Sequence, residues 1–258
     1  MQKLSKSELK DFLDFKVLQY NRPEFIVDDP ISIPHQFQLK EDIEISAFLT
    51  AVISWGNRQS ILKSANKLMA LMDRSPAQFI MNAGPRDLSH LASFVHRTFN
   101  GDDCIFFIKS LKSIYQIHGG LETFFSQPVQ QGFTIKESII RFRKIFLQPK
   151  HPKRVEKHIA DPGKNSSAKR INMFLRWMVR NDKNGVDFGI WESIPSSSLY
   201  CPLDIHTGNV SRKLGLLDRL ANDWKTVELL TDQLRSFDPD DPVKYDFALF
   251  GLGIYEKF

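Results

Sequence analysis

SSAKRINMFLRWMVR, residues 166–180, carries the pattern on which the reading of the chain turns. Its apolar residues Ile171, Phe174, Leu175 and Met178 recur at i, i+3, i+4 and i+7, which gathers them on one face of an α-helix. The spacing predicts an amphipathic helix with that face buried, and Ser166 or Ser167 stands where a side-chain oxygen can cap its start. Lys169 lies in the first turn beside Arg170. The positive end of the helix dipole and the neighbouring guanidinium both disfavour an ammonium there, and the neutral amine they favour is a nucleophile. On position alone, a solvated lysine on a basic surface is the simpler reading.

The same period runs outward in both directions. ELKDFLDFKVLQY, EDIEISAFLTAVISW, ILKSANKLMALMD, DDCIFFIKSLKSIYQIH and TIKESIIRFRKIFL before the stretch, and DWKTVELLTDQLRSF and VKYDFALFGLGIY after it, all read as helices. Most are preceded by Ser, Asp or Thr or by a glycine break. Alternating strand patterns are nearly absent, and there is no 20–50 residue repeat. The expected fold is all-α, built from about a dozen short helices. With 258 residues, 42% of them hydrophobic, the chain can bury a sizeable core as one large domain or two lobes. Most of the 21 Phe fall on apolar helix faces and are expected in that core.

No apolar run approaches the roughly 20 residues of a membrane span, and the N-terminal MQKLSKSELKDFLDF lacks the features of a signal peptide, so a cytoplasmic protein with no membrane partner is expected. Cys104 and Cys201 cannot make a four-ligand metal or iron-sulfur site by themselves, and no metal or other cofactor is expected. The net charge of +5 is regional. Residues 141–183 contain 13 Lys or Arg against 3 Asp or Glu, a local +10, which leaves −5 for the remainder. Such a segment suits a polyanion, most commonly nucleic acid, or equally a solvated helix face.

Upstream of Lys169 lies HIADPGKNSSAK, a tight loop between two helices. Helix, loop and helix with exposed backbone N–H groups is a phosphate-binding arrangement, for which Gly163, Lys164, Ser166, Ser167 and Arg170 are the candidate contacts. A plain connecting turn has much the same sequence. Downstream, in SLYCPLDIHTGNVSRKLGLL, Asp204 reads by itself as the N-cap of a following helix, while His206 and Cys201 do not make a metal site.

Taken together, a helix, a Pro-Gly loop, a second helix opening with lysine and a P-L-D-I-H-x-x-x-V-x-R-K-L-G-L segment resemble the helix-hairpin-helix DNA glycosylase superfamily, in particular a bacterial branch similar to the archaeal 8-oxoguanine glycosylases. The resemblance is most specific over residues 159–217 and matches Lys169 to the family's lysine nucleophile, Asp204 to its aspartate and His206 to the histidine that follows. More loosely, EISAFLTAVISWGNRQSILKSANKLM is similar to the early helix pair, where Asn57, Arg58 or Gln59 would enter the gap left in DNA; a surface turn is the alternative. The chain departs from the family's Gly-x-Gly hairpin, retaining Gly163 alone, in a loop one residue longer, with Ser167 at the expected second glycine position. Lysine and aspartate stand 35 residues apart, and the additional residues include NGVDFGIWESIPSSS, a loop expected to line the base pocket through Asp187 and Trp191 together with His206.

The resemblance implies two helical lobes with the hairpin at the cleft, one lobe from residues 46–170 and the other from residues 1–45 plus 171–258. It implies a monomer acting on double-stranded DNA with a damaged base, with glycosylase and β-lyase activity through a lysine Schiff base and without an iron-sulfur cluster. A non-catalytic DNA-binding module and a helical protein-interaction domain are the alternatives.

Overall fold

The computed structural model describes residues 4–258 and is all-α. Its α-helices are α1 (Lys6–Tyr20), α2 (Glu24–Asp28), α3 (Lys40–Ile53), α4 (Arg58–Leu71), α5 (Pro76–Asn82), α6 (Pro85–His90), α7 (Gly101–His118), α8 (Leu121–Gln130), α9 (Ile135–Phe146), α10 (Lys169–Val179), α11 (Ile205–Lys213), α12 (Trp224–Arg235) and α13 (Tyr245–Ile254). Short 3-10 turns join several of them, and the one sheet among the described residues is a hairpin pairing Val95–His96 with Phe99–Asn100. No helix among these residues is long and apolar enough to cross a membrane.

The chain divides into two compact units. A terminal unit combines the residues up to Phe25 with Asp161–Phe258, and a central unit comprises Ile26–Ala160. The expected boundaries at 45/46 and 170/171 therefore move to 25/26 and 160/161. Two local packings move them. The 3-10 turns Pro30–Ser32 and Pro34–Gln36 pack on α3, which keeps residues 26–45 with the central unit. Asn165 and Ser166 bond to the start of α12, which keeps residues 161–170 with the terminal unit.

The central unit is organised around aromatic rings. Phe48 of α3 meets Phe107 of α7 and Phe142 and Phe146 of α9, with ring centroids 5.5–6.2 Å apart, so the periodic Phe positions do fill a core. In the terminal unit, Leu9, Leu13 and Val17 of α1, Val210 of α11, Leu230 of α12 and Leu249 of α13 share one buried cluster. Helix α13, YDFALFGLGI, has almost no polar face because α1 and α11 both pack on it. Gly251 permits this approach: a Cβ there would lie 2.2 Å from the ring of Tyr20 on α1.

Helix α10 departs from the one-faced pattern. Ile171, Phe174, Leu175 and Met178 are buried as predicted, but so are Asn172, Arg176 and Arg180. The two guanidinium groups are accommodated by carboxylates from remote parts of the chain. Arg176 binds Asp246 of α13 and, at 3.3 Å, Asp187. Arg180 reaches Asp182 at 2.7 Å, Asp187 at 3.1 Å and Asp241 at 2.9 Å. Both lie over the ring of Phe247, at 4.3 and 5.4 Å. Burial by itself would push Arg180 down, yet Asp187, Asp241 and Asp182 together hold it above its ordinary range. Burial pushes the Asp246 carboxyl up to about 6, against the pull of Arg176.

Removing one partner of such a network strands a buried charge, which costs about 3–5 kcal/mol. Arg176→Met is expected to lose that much in urea denaturation at pH 8, and adding Asp246→Leu should recover most of it. Because the folded-state position of Asp246 lies above its unfolded value, its protonated form stabilises the fold and that contribution is lost as pH rises through about 6. The loss caused by Arg176→Met should therefore be smaller at pH 5 than at pH 8.

Candidate active site

The hairpin before α10 starts at Asp161, whose side chain accepts the Gly163 N–H at 3.0 Å and whose carbonyl accepts the N–H groups of Lys164 and Ser166. Asn165 and Ala168 adopt left-handed backbone conformations, with φ of 63° and 47°. The two left-handed positions are thus filled by an asparagine, a residue that tolerates that conformation, and by an alanine, and neither by Gly163 nor by Ser167. Neither serine caps α10, because Ala168 occupies the cap position and Ser166 Oγ instead accepts the Ala168 N–H at 3.3 Å. The hairpin is pinned at its tip. The Asn165 carbonyl accepts the Trp224 N–H at 3.1 Å, and its amide donates to Asp223 at 3.0 Å.

Asp204 follows Pro202-Leu203 and caps α11, where its Oδ1 accepts the Thr207 N–H at 2.8 Å. Its Oδ2 lies 2.9 Å from Lys169 Nζ. The two residues that the sequence separates by 35 positions therefore meet where α10 and α11 begin. The lysine side chain is 32% exposed and the aspartate 15%, so the amine can be reached from solvent while the carboxylate is shielded. Burial acts to raise the Asp204 carboxyl, but the Lys169 ammonium and the Thr207 N–H outweigh it and hold the group below its ordinary value.

Two further residues hold Asp204, Asn222 directly and Arg212 through Asn222. Its carbonyl accepts from Asn222 Nδ2 at 3.2 Å, and Arg212 donates to Asn222 Oδ1 at 2.5 Å and to the carbonyls of Arg219 and Leu220 at 2.7 Å each. Gly208 leaves room for this clamp, since a Cβ there would stand 2.7 Å from Asn222 Oδ1. Of these, the sequence pointed to Arg212 through the resemblance alone. A glycine inside the helical run IHTGNVSRK was the available sign of a close approach.

The other expected residues separate into three groups. Gly163 and Lys164 are exposed on the hairpin, Ser166, Ser167 and Arg170 are partly buried beside Lys169, and His206 is exposed next to Asp204, whose carboxylate it also helps to keep ionised. Asp187 and Trp191 correct the expectation of an open base pocket. Asp187 is buried between Arg176 and Arg180, and Trp191 is fully buried with its ring edge-on to Phe174 at 5.3 Å. Asn57 and Arg58 belong to the central unit, where Asn57 caps α4 by accepting the Ser60 N–H at 3.2 Å. Cys104 and Cys201 are buried free thiols, and among the described residues no group of three or more His, Cys, Asp or Glu converges as a metal site.

An amine and an ionised carboxylate in contact can provide a nucleophile and stabilise a cation forming beside it. The charge coupling is open to direct measurement. A carboxyl-carbon NMR titration should place the Asp204 midpoint below that of an ordinary aspartate, and Lys169→Met should move it upward. Since the folded-state value is depressed, the stabilisation from the pair is present above the unfolded aspartate value and disappears as pH falls through the folded one. The stability difference between wild type and Lys169→Met should shrink over that interval.

Neither a curated protein nor a solved structure matches the chain at a significant level. Residues 29–255, which include the α3–α4 break, the hairpin, Lys169 and Asp204, match a family described as a protein of unknown function (DUF2400), and the chain belongs to that family.

Proposed function

We propose that the protein is a DNA glycosylase with β-lyase activity, that it removes a damaged base from duplex DNA, and that Lys169 is the nucleophile and Asp204 the electrostatic stabiliser. The observation that carries this reading is the 2.9 Å contact between Lys169 Nζ and Asp204 Oδ2 at the starts of α10 and α11. The Pro-Gly hairpin leading directly into Lys169 and the PLDIH segment supplying Asp204 support it as well.

The Lys169 amine reacts in its neutral form, any proton on it passing to solvent. Asp204, held below its usual range, accepts that proton poorly and remains anionic. With the target nucleotide turned out of the stack, the amine lone pair bonds to C1′ of the deoxyribose. The C1′–N glycosidic bond breaks with its electron pair leaving on the base, which then gains a proton. Asp204 faces the positive charge that develops on the sugar. Loss of the second amine proton and opening of the ring give a Schiff base, and removal of a C2′ proton from it expels the 3′ phosphate. The burial of Asp187 and Trp191 withdraws them as readers of the base, so the lesion is best identified from a panel headed by 8-oxoguanine.

A second reading has its own support. Asp204 caps α11 and already satisfies the Lys169 ammonium, so the pair can hold two helix starts together in a non-catalytic DNA-binding module. Borohydride trapping separates the two. Duplexes carrying 8-oxoguanine, uracil, thymine glycol or an abasic site should yield a covalent adduct with wild type and none with Lys169→Ala, and Asp204→Asn should slow base release by about 10²–10³-fold. Salt-sensitive binding without any adduct across the panel would select the binding module, and an abasic-site adduct persisting in Lys169→Ala would reassign the nucleophile.

A further inference from the structure

The two units divide the formal charge unequally. Residues 26–160 hold 17 Lys or Arg against 12 Asp or Glu, so the central unit carries the whole net +5, while the terminal unit holds 18 of each and is neutral. Within the central unit, residues 141–157 contain seven cations and one carboxylate, Glu156, a local +6.

The structure engages two of those seven in the fold and leaves five exposed. Arg143 turns inward, donating to the Ile159 carbonyl at 3.0 Å and to the Glu156 carboxylate at 3.2 Å. Arg154 binds Asp103 at 2.8 Å, Asn100 at 2.7 Å and Asp102 at 3.4 Å. The ring of His151 rests against Phe106, 4.9 Å between centroids. These contacts fix the path of the segment from α9 through the 3-10 helix Lys153–His158. Lys144, Lys150, Lys153 and Lys157 are exposed and have no ion-pair partner among the described residues. Exposed Arg141 lies over the Phe124 ring at 5.7 Å. Glu156 is engaged first by Arg143, and of the four lysines only Lys153 acts on its carboxylate.

We propose that Lys144, Lys150, Lys153 and Lys157, with Arg141, form an electrostatic contact surface for the phosphate backbone of duplex DNA, carried by the unit that lacks the Lys169–Asp204 pair. The choice of DNA as the polyanion rests on the glycosylase reading. Lysines are strongly hydrated point charges without the planar fork that reads base edges, so the contact is sequence-independent. A membrane surface fits less well, because none of the large apolar side chains exposed among the described residues falls within 141–157, and a surface helix needs an apolar face to insert. The contacts of Arg143 and Arg154 fix the backbone that carries the lysines before DNA arrives, which reduces the ordering cost of binding.

The test is fluorescence anisotropy of the full chain on an undamaged duplex over a series of salt concentrations. Each lost phosphate contact reduces the slope of log K against log salt by about 0.9. The K144Q/K150Q/K153Q/K157Q variant is expected to show a slope shallower than wild type by about 3–4. The separate pairs K144Q/K150Q and K153Q/K157Q should each show about half of that, which guards against misfolding of the fourfold variant. Lys169→Ala should change the slope by no more than about 1. Unchanged affinity and slope in all the lysine variants would overturn the proposal, as would wild-type binding to phosphatidylserine vesicles without binding to DNA. Borohydride trapping at low salt reports separately on the glycosylase reading: loss of the slope effect with trapping retained removes only this surface, and the converse removes only the chemistry.

Discussion

The buried guanidinium of Arg176 is the constraint on which the terminal unit depends. It stands on α10 and binds Asp246 on α13 and Asp187 in the loop that follows α10. A charge in this position is tolerated only when its partners are in place, so the network demands one particular packing of α10 against α13. Arg180, one turn further on, extends the same demand to Asp182 and Asp241. Lys169 sits at the opposite end of this helix, and its location is therefore set by contacts well removed from its own side chain.

The carboxylate that meets Lys169 is fixed just as firmly. Asp204 uses one oxygen as a helix cap and the other as an ion-pair partner, while Asn222 and Arg212 secure its backbone. A residue held through both carboxylate oxygens and its backbone carbonyl reorganises little when charge develops beside it, which is the property an electrostatic stabiliser requires. The hairpin is anchored in a similar way through Asn165 to the first residues of α12. In the proposed reading structural and chemical roles coincide in the same few residues, and a cap that looked ordinary in the sequence is half of the candidate site.

Positive charge follows a division of labour. Arginines make the interior pairs, at Arg143, Arg154, Arg176 and Arg180, and the lysines of residues 144–157 remain in solvent. The planar guanidinium satisfies several acceptors at once and withstands burial, whereas an ammonium is best left hydrated. This also separates the +10 stretch of residues 141–183 into two parts. In its later portion Arg176 and Arg180 are consumed in packing α10, and in its earlier portion the four lysines remain in solvent.

Helical periodicity determined the all-α class, the apolar faces and the Phe-rich core, because those features depend on spacing within a single helix. The positions of Lys169 and Asp204 within their helices were legible for the same reason, and their pairing was legible through the motif. Other features could be decided only by tertiary structure, since each depends on a partner remote in sequence. The inserted loop read as lining a base pocket, but Asp187 is held inside by Arg176 and by Arg180 at the end of a helix that the pattern predicted to be one-faced. The hairpin was read with Ser167 at an expected glycine position, whereas its left-handed residues are Asn165, which bonds to the start of α12, and Ala168. The unit boundaries moved for the same cause, following contacts of the 3-10 turns and the hairpin that no local pattern encodes.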